Sequence, residues 1–391
     1  MVGSLSPHIG NLSFLHTINL QNNSFYGGVP LAVGRLFRLR IFGLSNYSFT
    51  GEIPSNLSRC SNLQVFSIGY NKLSGIIPKE LSSLQKLETL HLCENNLIGT
   101  IPDSLGNLSS LQLLNLSDNN LNGRIPNSLG QLKSLQGLGL GSNRLSSTFP
   151  PSIYNISSLQ ILSLPLNQII GKLPSDVGLA LHNLRVNSFV GQLPANMGSM
   201  PNLQWLRLEA NRLGSSAGTH RAEDSKFLSS IVDSSSNLQN SNAGEITSTL
   251  SKCSSLQQLS LRGNFFHGSI PPSFSSLQGH QGLDLSLNNL SGEIPTFLQN
   301  LLSSLQYLDL PFNKGAMPTE GLFKNASAFS ILGNNKLCGG ILELQLPLCP
   351  DHIQKHSNKK HQISLHLKVA IGVIVSTISC SLFCEKAKKW D

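Results

Sequence analysis

A period of 24 residues constrains this chain more than any other feature. Asn71, Asn95, Asn119, Asn143 and Asn167 each fall 24 residues after the last. Asn23 and Tyr47 hold the same register upstream. Asn264 and Asn288 resume it downstream, and Asn313 follows one residue late. A fixed period of this length is the signature of a solenoid, in which each unit covers the apolar face of the next.

The unit LQLLNLSDNNLNGRIPNSLGQLKS shows how one coil is built. Leu111, Leu114 and Leu116 are expected to point inward, and the alternation from Leu114 to Leu116 predicts a short strand. Asn119 ends it. Its amide suits backbone groups that stacking would otherwise bury unsatisfied, so stacked coils should line these asparagines into a ladder. Leu121 and Ile125 continue the core, and Gly123 permits a tight turn. Pro126 removes a donor and blocks a further ladder strand. Leu129 then anchors a short helical or 3₁₀ return leg. One unit cannot bury enough apolar surface to fold alone, but a stack can.

These residues resemble the plant-type leucine-rich repeat, LxxLxxLxLxxNxLxGxIPxxLGx. The GxIP box recurs at 51–54, 75–78, 99–102, 123–126, 268–271 and 292–295, and with Leu in place of Ile at 171–174 and 191–194. The resemblance implies an α/β solenoid. It would be a curved, right-handed superhelix with a parallel β-sheet on the concave face and an irregular, 3₁₀-rich convex side. GSLSPHIGNLSFL, FTGEIPSNLSRCSNL and PTEGLFKNASAFSILGNNKLCGGILELQLPLCP further resemble the plant receptor-like serine/threonine kinases that include immune receptors for bacterial patterns. That similarity runs from about Val2 to about Val375. Its departures are at the two ends. Met1 falls inside a repeat, MVGSLSPHIG lacks the features of a secretory signal, and neither a kinase glycine loop nor a catalytic Asp motif precedes Asp391. The expectation is an ectodomain and membrane-span fragment without enzymatic activity of its own.

Charge adds a tail to this picture. The formal net charge is +8, with only 12% charged residues. Lys355, Lys359, Lys360 and Lys368 precede an apolar run, and Lys386, Lys388 and Lys389 follow it. No basic stripe with interleaved aromatics runs along the repeats, so no nucleic acid partner is expected. The run 369–384 reads as a single membrane span with a basic stop-transfer flank. Division of the chain follows: a repeat block 1–212, an irregular segment 213–252, a second block 253–335, a cap 336–350, a basic linker 351–368, the span 369–384 and a stub 385–391. Two steps depart from 24. Asn167 to Asn187 is 20 residues, with His182 where Leu is expected, and Asn211 to Asn264 is 53. The second departure is expected to carry a short convex helix over DSKFLSSIV and to split the solenoid into two less well stacked blocks.

Cys338 and Cys349 flank the terminal cap and read either as a disulfide or as two thiols; the resemblance implies the disulfide. Cys60 and Cys253 occupy one repeat slot and read as small buried core residues, while Cys93 falls on the concave face. No cysteine–histidine cluster has zinc spacing, and no metal or cofactor is expected. Sequons lie at Asn11, Asn22, Asn46, Asn56, Asn107, Asn115, Asn155, Asn289 and Asn325.

Binding is expected on the concave face, at the positions between the leucines and just before each asparagine. These are Tyr70, His91, Glu94, Asp118, Trp205, Arg207, Glu209, Arg262, Asp284, Tyr307 and Asp309, with Trp205, Arg207 and Glu209 as one exposed column. Each alone is an ordinary solvated side chain; together they favour a peptide or protein ligand, as the resemblance also implies. The leading reading is a membrane-anchored receptor at the plasma membrane, with its repeats outside. It would signal through a co-receptor kinase or act as a decoy. A soluble interaction or inhibitor protein, and a fragment of a receptor kinase, are the alternatives.

Overall fold

The computed structural model describes residues 2–21, 23–45, 48–173, 181–199, 203–215, 244–277, 279–298, 307–310, 315–319 and 337–349. Among them, twelve short strands pair in chain order into one sheet, from Thr17–Asn19 to Tyr307–Asp309. Every pairing is parallel, as stacked coils require: Leu114 lies beside Leu90 on one side and Leu138 on the other. Leu111, Leu114, Leu116, Leu121 and Leu129 are all fully buried. Their counterparts in neighbouring coils extend one continuous apolar core along the solenoid. Cys60 and Cys253 sit in that core, their thiols donating to the Val33 and Met197 carbonyls.

The return legs are 3₁₀ turns, such as Asn127–Gln131, and one is a single turn of α-helix, Pro151–Tyr154. Pro126 stands at the start of its turn in extended conformation, where a missing N–H costs nothing.

One feature exceeds the sequence reading. Just after the ladder asparagine, several coils add a second strand, and six of these pair into a second parallel sheet, from Ile98–Thr100 to Arg212–Leu213. Gly123 lies at the end of one such strand with φ of 74°, close enough to the coil before it that a Cβ would meet the Thr100 methyl at 3.0 Å.

The expected split between two blocks is not present in the main sheet. Trp205–Arg207 pairs directly with Gln258–Ser260, so the ladder crosses the long interruption without a gap. The short step is absorbed as well. Leu181–Asn183 joins the sheet with a register shift beside Leu162 and Ser163. Cys338 and Cys349 are joined in a disulfide that closes the terminal cap. The convex helix expected over DSKFLSSIV, the linker and the membrane span 369–384 lie outside the described residues. Among the described residues no helix is long and apolar enough to cross a membrane.

Candidate functional site

The asparagine ladder holds the concave face in place. Asn119 accepts from the Leu97 N–H at 3.0 Å. Its amide donates to the carbonyls of Leu92, Leu116 and Ser117 at 3.0–3.2 Å. Two of these contacts are to the preceding coil and two lie within its own. Asn71, Asn95, Asn143, Asn167, Asn187, Asn211, Asn264 and Asn288 repeat the arrangement. To bring its own carbonyls round to that amide, the residue before each asparagine adopts a left-handed conformation. Tyr70, Glu94, Asp118, Ser142, Leu166, Val186, Ala210 and Leu287 have φ between 50° and 56°. Three of these, Tyr70, Glu94 and Asp118, are residues assigned to binding from sequence. Their directions are therefore set by the ladder.

The face is not uniform along its length. Ladder register aligns Ser67, His91, Asn115, Gly139 and Ser163 in the first half. It aligns Arg207, Ser260 and Asp284 in the second. Two residues further along each strand, the first half carries Gly69, Cys93, Ser117 and Gly141, and the second carries Arg185, Glu209 and Arg262. Small groups thus give way to charged ones.

Trp205 and Arg207 share one strand and Glu209 follows two residues past its end, but all three are half-buried, not exposed as expected. Arg207 donates to Gln258 Oε1 at 3.3 Å across the interruption. Arg185 Nε is buried without a hydrogen-bond partner, while the Ser260 hydroxyl lies against the Glu209 carboxylate. Burial pushes the Glu209 carboxyl pKa upward, against the pull of Arg207 and Arg185. Burial also lowers the Arg185 guanidinium's, against the pull of Glu209. An unsatisfied buried polar group is costly in a folded chain. Arg185 was not among the residues picked from sequence. Counting back two from Asn187 finds it, but only once the 20-residue step is accepted as a true coil.

Elsewhere the picks disperse. Asp284 is tied to Ser286, accepting from its N–H at 3.0 Å and its hydroxyl at 2.6 Å. His91 is buried, 5% exposed, and bonded within the sheet, which corrects its reading as an outward ligand contact. Tyr307 and Asp309 belong to the last strand of the sheet, and their side chains lie outside the description. Of the sequons, Asn115 is fully buried on the concave face, so the folded chain has no room for a glycan there. Asn11, Asn107 and Asn155 are exposed, and Asn56 and Asn289 are half-buried. Asn22, Asn46 and Asn325 lie outside the described residues. Among the described residues no group of His, Cys, Asp and Glu could hold a metal ion.

The repeat geometry and the family models agree. Leucine-rich-repeat models match residues 61–107, 85–145, 255–277 and 281–301. The chain is a leucine-rich-repeat solenoid, and its relatives are plant leucine-rich-repeat receptor-like serine/threonine kinases. It is 41% identical over 106 residues to a probable kinase of this type from Arabidopsis thaliana, across 26% of this chain and 10% of that protein. It is 34% identical over 128 residues to the Arabidopsis thaliana LRR receptor-like serine/threonine-protein kinase EFR, across 32% of this chain and 12% of that protein. Both matches fall within repeats and span about a tenth of each relative, and only leucine-rich repeats are found in this chain.

Among solved structures, the plant peptide hormone receptor RGFR1 in complex with RGF2 matches with a TM-score of 0.59 and 27% identity, covering 87% of this chain and 58% of that one. The ectodomain of the Arabidopsis receptor kinase HAESA, in complex with an IDA peptide hormone lengthened at its N-terminus, matches at 0.57 and 26%, covering 86% and 59%. A Leptospira interrogans LRR protein matches at 0.62 and 27%, covering 84% and 74%.

Proposed function

We propose that this chain is the ligand-binding part of a plant membrane receptor and that it grips an extended peptide, or an extended segment of a protein, across its concave face. The observation that carries this reading is the half-buried charged cluster of Arg185, Arg207 and Glu209 beside Trp205, with Arg185 Nε buried and unpaired. Tryptophan and arginine are the side chains most often found at binding hot spots. A guest that accepts from Arg185 Nε would recover a hydrogen bond the empty face lacks. Arg262 and Asp284 extend the contact toward the C-terminal coils; Tyr70, Glu94 and Asp118 extend it toward the N-terminal ones. Two peptide-hormone complexes among the structural matches support the ligand class. Relatives that are themselves kinases support a kinase, in the same protein or in a co-receptor, as the signalling route. On this reading 369–384 is the membrane anchor and 351–368 the linker to it.

Display of random dodecapeptides against the full chain tests the proposal. Enriched peptides should lose about tenfold or more in affinity on Trp205→Ala or Arg207→Ala. They should bind an Arg124→Ala variant, altered on an exposed ion pair with Asp103, as they bind the parent. Peptides that bind all three variants alike would place the site elsewhere.

A further inference from the structure

Cys93 and His91 sit two residues apart in one coil, so both side chains face the concave side. His91 Nε2 lies 3.0 Å from Cys93 Sγ, and Nδ1 lies 3.2 Å from Ser67 Oγ. Ser67 Oγ in turn lies 3.3 Å from Ser45 Oγ. These contacts admit a proton arrangement in which the Cys93 thiol donates to Nε2, Nδ1–H donates to Ser67, and the Ser67 hydroxyl donates to Ser45. In that tautomer His91 is the base for the thiol, with its far nitrogen held by a second group.

A separate observation marks the same spot. Asn115 is the ladder partner of His91 in the next coil. It is fully buried, and its amide Nδ2 has no hydrogen-bond partner. Its Oδ1 is already used by the Ser117 N–H at 3.1 Å. Asn115 is thus a fully buried donor without a partner, one coil along from the thiol–imidazole pair. Gly69 packs closely on that pair, since a Cβ there would stand 3.2 Å from the imidazole and 3.3 Å from Sγ.

We propose that Cys93 is a peroxide-reactive thiol, with His91 as its base, Ser67 holding the imidazole and Asn115 donating to the peroxide. In the step itself, the thiol proton passes to His91 Nε2. The sulfur then attacks one oxygen of the hydroperoxide, the S–O bond forms and the O–O bond breaks. The leaving hydroxide takes the proton from His91 and departs as water. Sulfur is oxidised by two electrons to a sulfenic acid, and the peroxide is reduced by two. Hydrogen peroxide is close to water in size. The chain contains its own controls, because Cys60 and Cys253 are buried as completely as Cys93 but donate only to backbone carbonyls. Burial also pushes the Cys60 thiol up to about 11. Access is therefore matched among the three, and the base is what differs.

The test treats the folded chain with hydrogen peroxide in the presence of dimedone and maps the adduct on each cysteine by mass spectrometry. Cys93 should label about tenfold faster than Cys60 or Cys253 at pH 7. His91→Gln should bring it down to their rate and shift its half-maximal labelling to higher pH. Ser67→Ala, which leaves the packing nearly unchanged, should give an intermediate rate. Equal labelling of the three cysteines would overturn the proposal. So would fast labelling of Cys93 that neither His91→Gln nor Ser67→Ala slows in a folded variant.

Discussion

The coils from Asn71 to Asn167 and those from Asn187 to Asn288 share one ladder and differ in almost everything around it. In the first set the rungs fall at equal steps and the concave face carries mainly small side chains. In the second set one step is short, another is more than doubled, and the face carries Arg185, Arg207, Glu209 and Arg262. Yet the rung geometry is unchanged. Leu97 donates to an asparagine 22 residues on at 3.0 Å, and Leu213 donates to one 51 residues on at the same distance. The lesson is that the ladder, not the repeat length, defines a coil. A longer connection between two rungs costs about 0.7 kcal/mol of closure entropy, small beside the bonds in one rung. A scaffold this tolerant can vary its face where its spacing varies, and the charged groups are found there.

Removing a rung should be the largest effect. Asn119→Ala orphans the buried Leu97 N–H and takes a donor from three carbonyls, and should cost about 3–4 kcal/mol in urea unfolding. Asn264→Ala should cost about as much, despite the 53-residue step before it. A cost under about 1 kcal/mol at Asn264 would mean that the second set is not held by the ladder at all.

His280 offers a sharper contrast between the two sets. It stands 24 residues after Leu256, in the slot that Leu111 fills in the regular coils. It is 2% exposed, and the Leu277 backbone is the polar group set against its ring. Burial holds its pKa down at about 4, against 6.5 for an ordinary histidine. As pH falls below 6.5 the unfolded chain takes up a proton that the folded chain refuses until about pH 4, so stability falls across that window. The loss should approach about 3 kcal/mol near pH 4. His280→Leu should remove that part of the pH dependence and raise stability at pH 7 by about 1–2 kcal/mol. Urea midpoints measured at pH 7 and 4.5 for both proteins check this. An equal drop in the two would assign the acid sensitivity to other groups.

Much of this was readable before any coordinates. The asparagine spacing and the leucine pattern showed the stack, its short strands and its return legs, and the family resemblance implied the parallel sheet. The second sheet was not readable, because segments such as Asn120–Gly123 are short and carry little apolar alternation. The left-handed residues were hidden for a different reason. Leu166 and Val186 are poor residues for positive φ, and only the demand of the next asparagine puts them there. Register alone picked out Trp205, Arg207 and Glu209 for the proposed site. Arg185 was not picked because the short step hid its register, and the burial of His91 was not seen because a face drawn from one strand cannot show that Ser67 bonds its ring.

The left-handed positions give a smaller test with the opposite sign. Val186→Gly relieves a β-branched residue at φ of 53° and should stabilise by about 1 kcal/mol, after allowing for the freer unfolded chain. Gly123→Ala, at φ of 74°, should destabilise by a similar amount. If Val186→Gly were neutral, the turn before each rung would be adaptable and not imposed; a neutral Gly123→Ala would say the same of the end of the second strand.

The smallest effect should come from the longest feature. The two ends of the interruption already meet, since a Cβ on Gly244 would come within contact of the Gly214 carbonyl. The His267 N–H donates to the Gly244 carbonyl at 2.9 Å, and the Gly214 N–H to the Gly191 carbonyl at 2.7 Å, so both ends are pinned to neighbouring coils. Replacing 216–243 by a three-residue Gly/Ser bridge should therefore change stability by less than about 1 kcal/mol, in the favourable direction that a shorter loop gives. Asn264 should still complete its rung, and Arg207 should still reach Gln258. A large loss on excision would mean that residues 216–243 contribute packing of their own, and the stack would then owe its continuity here to more than asparagines.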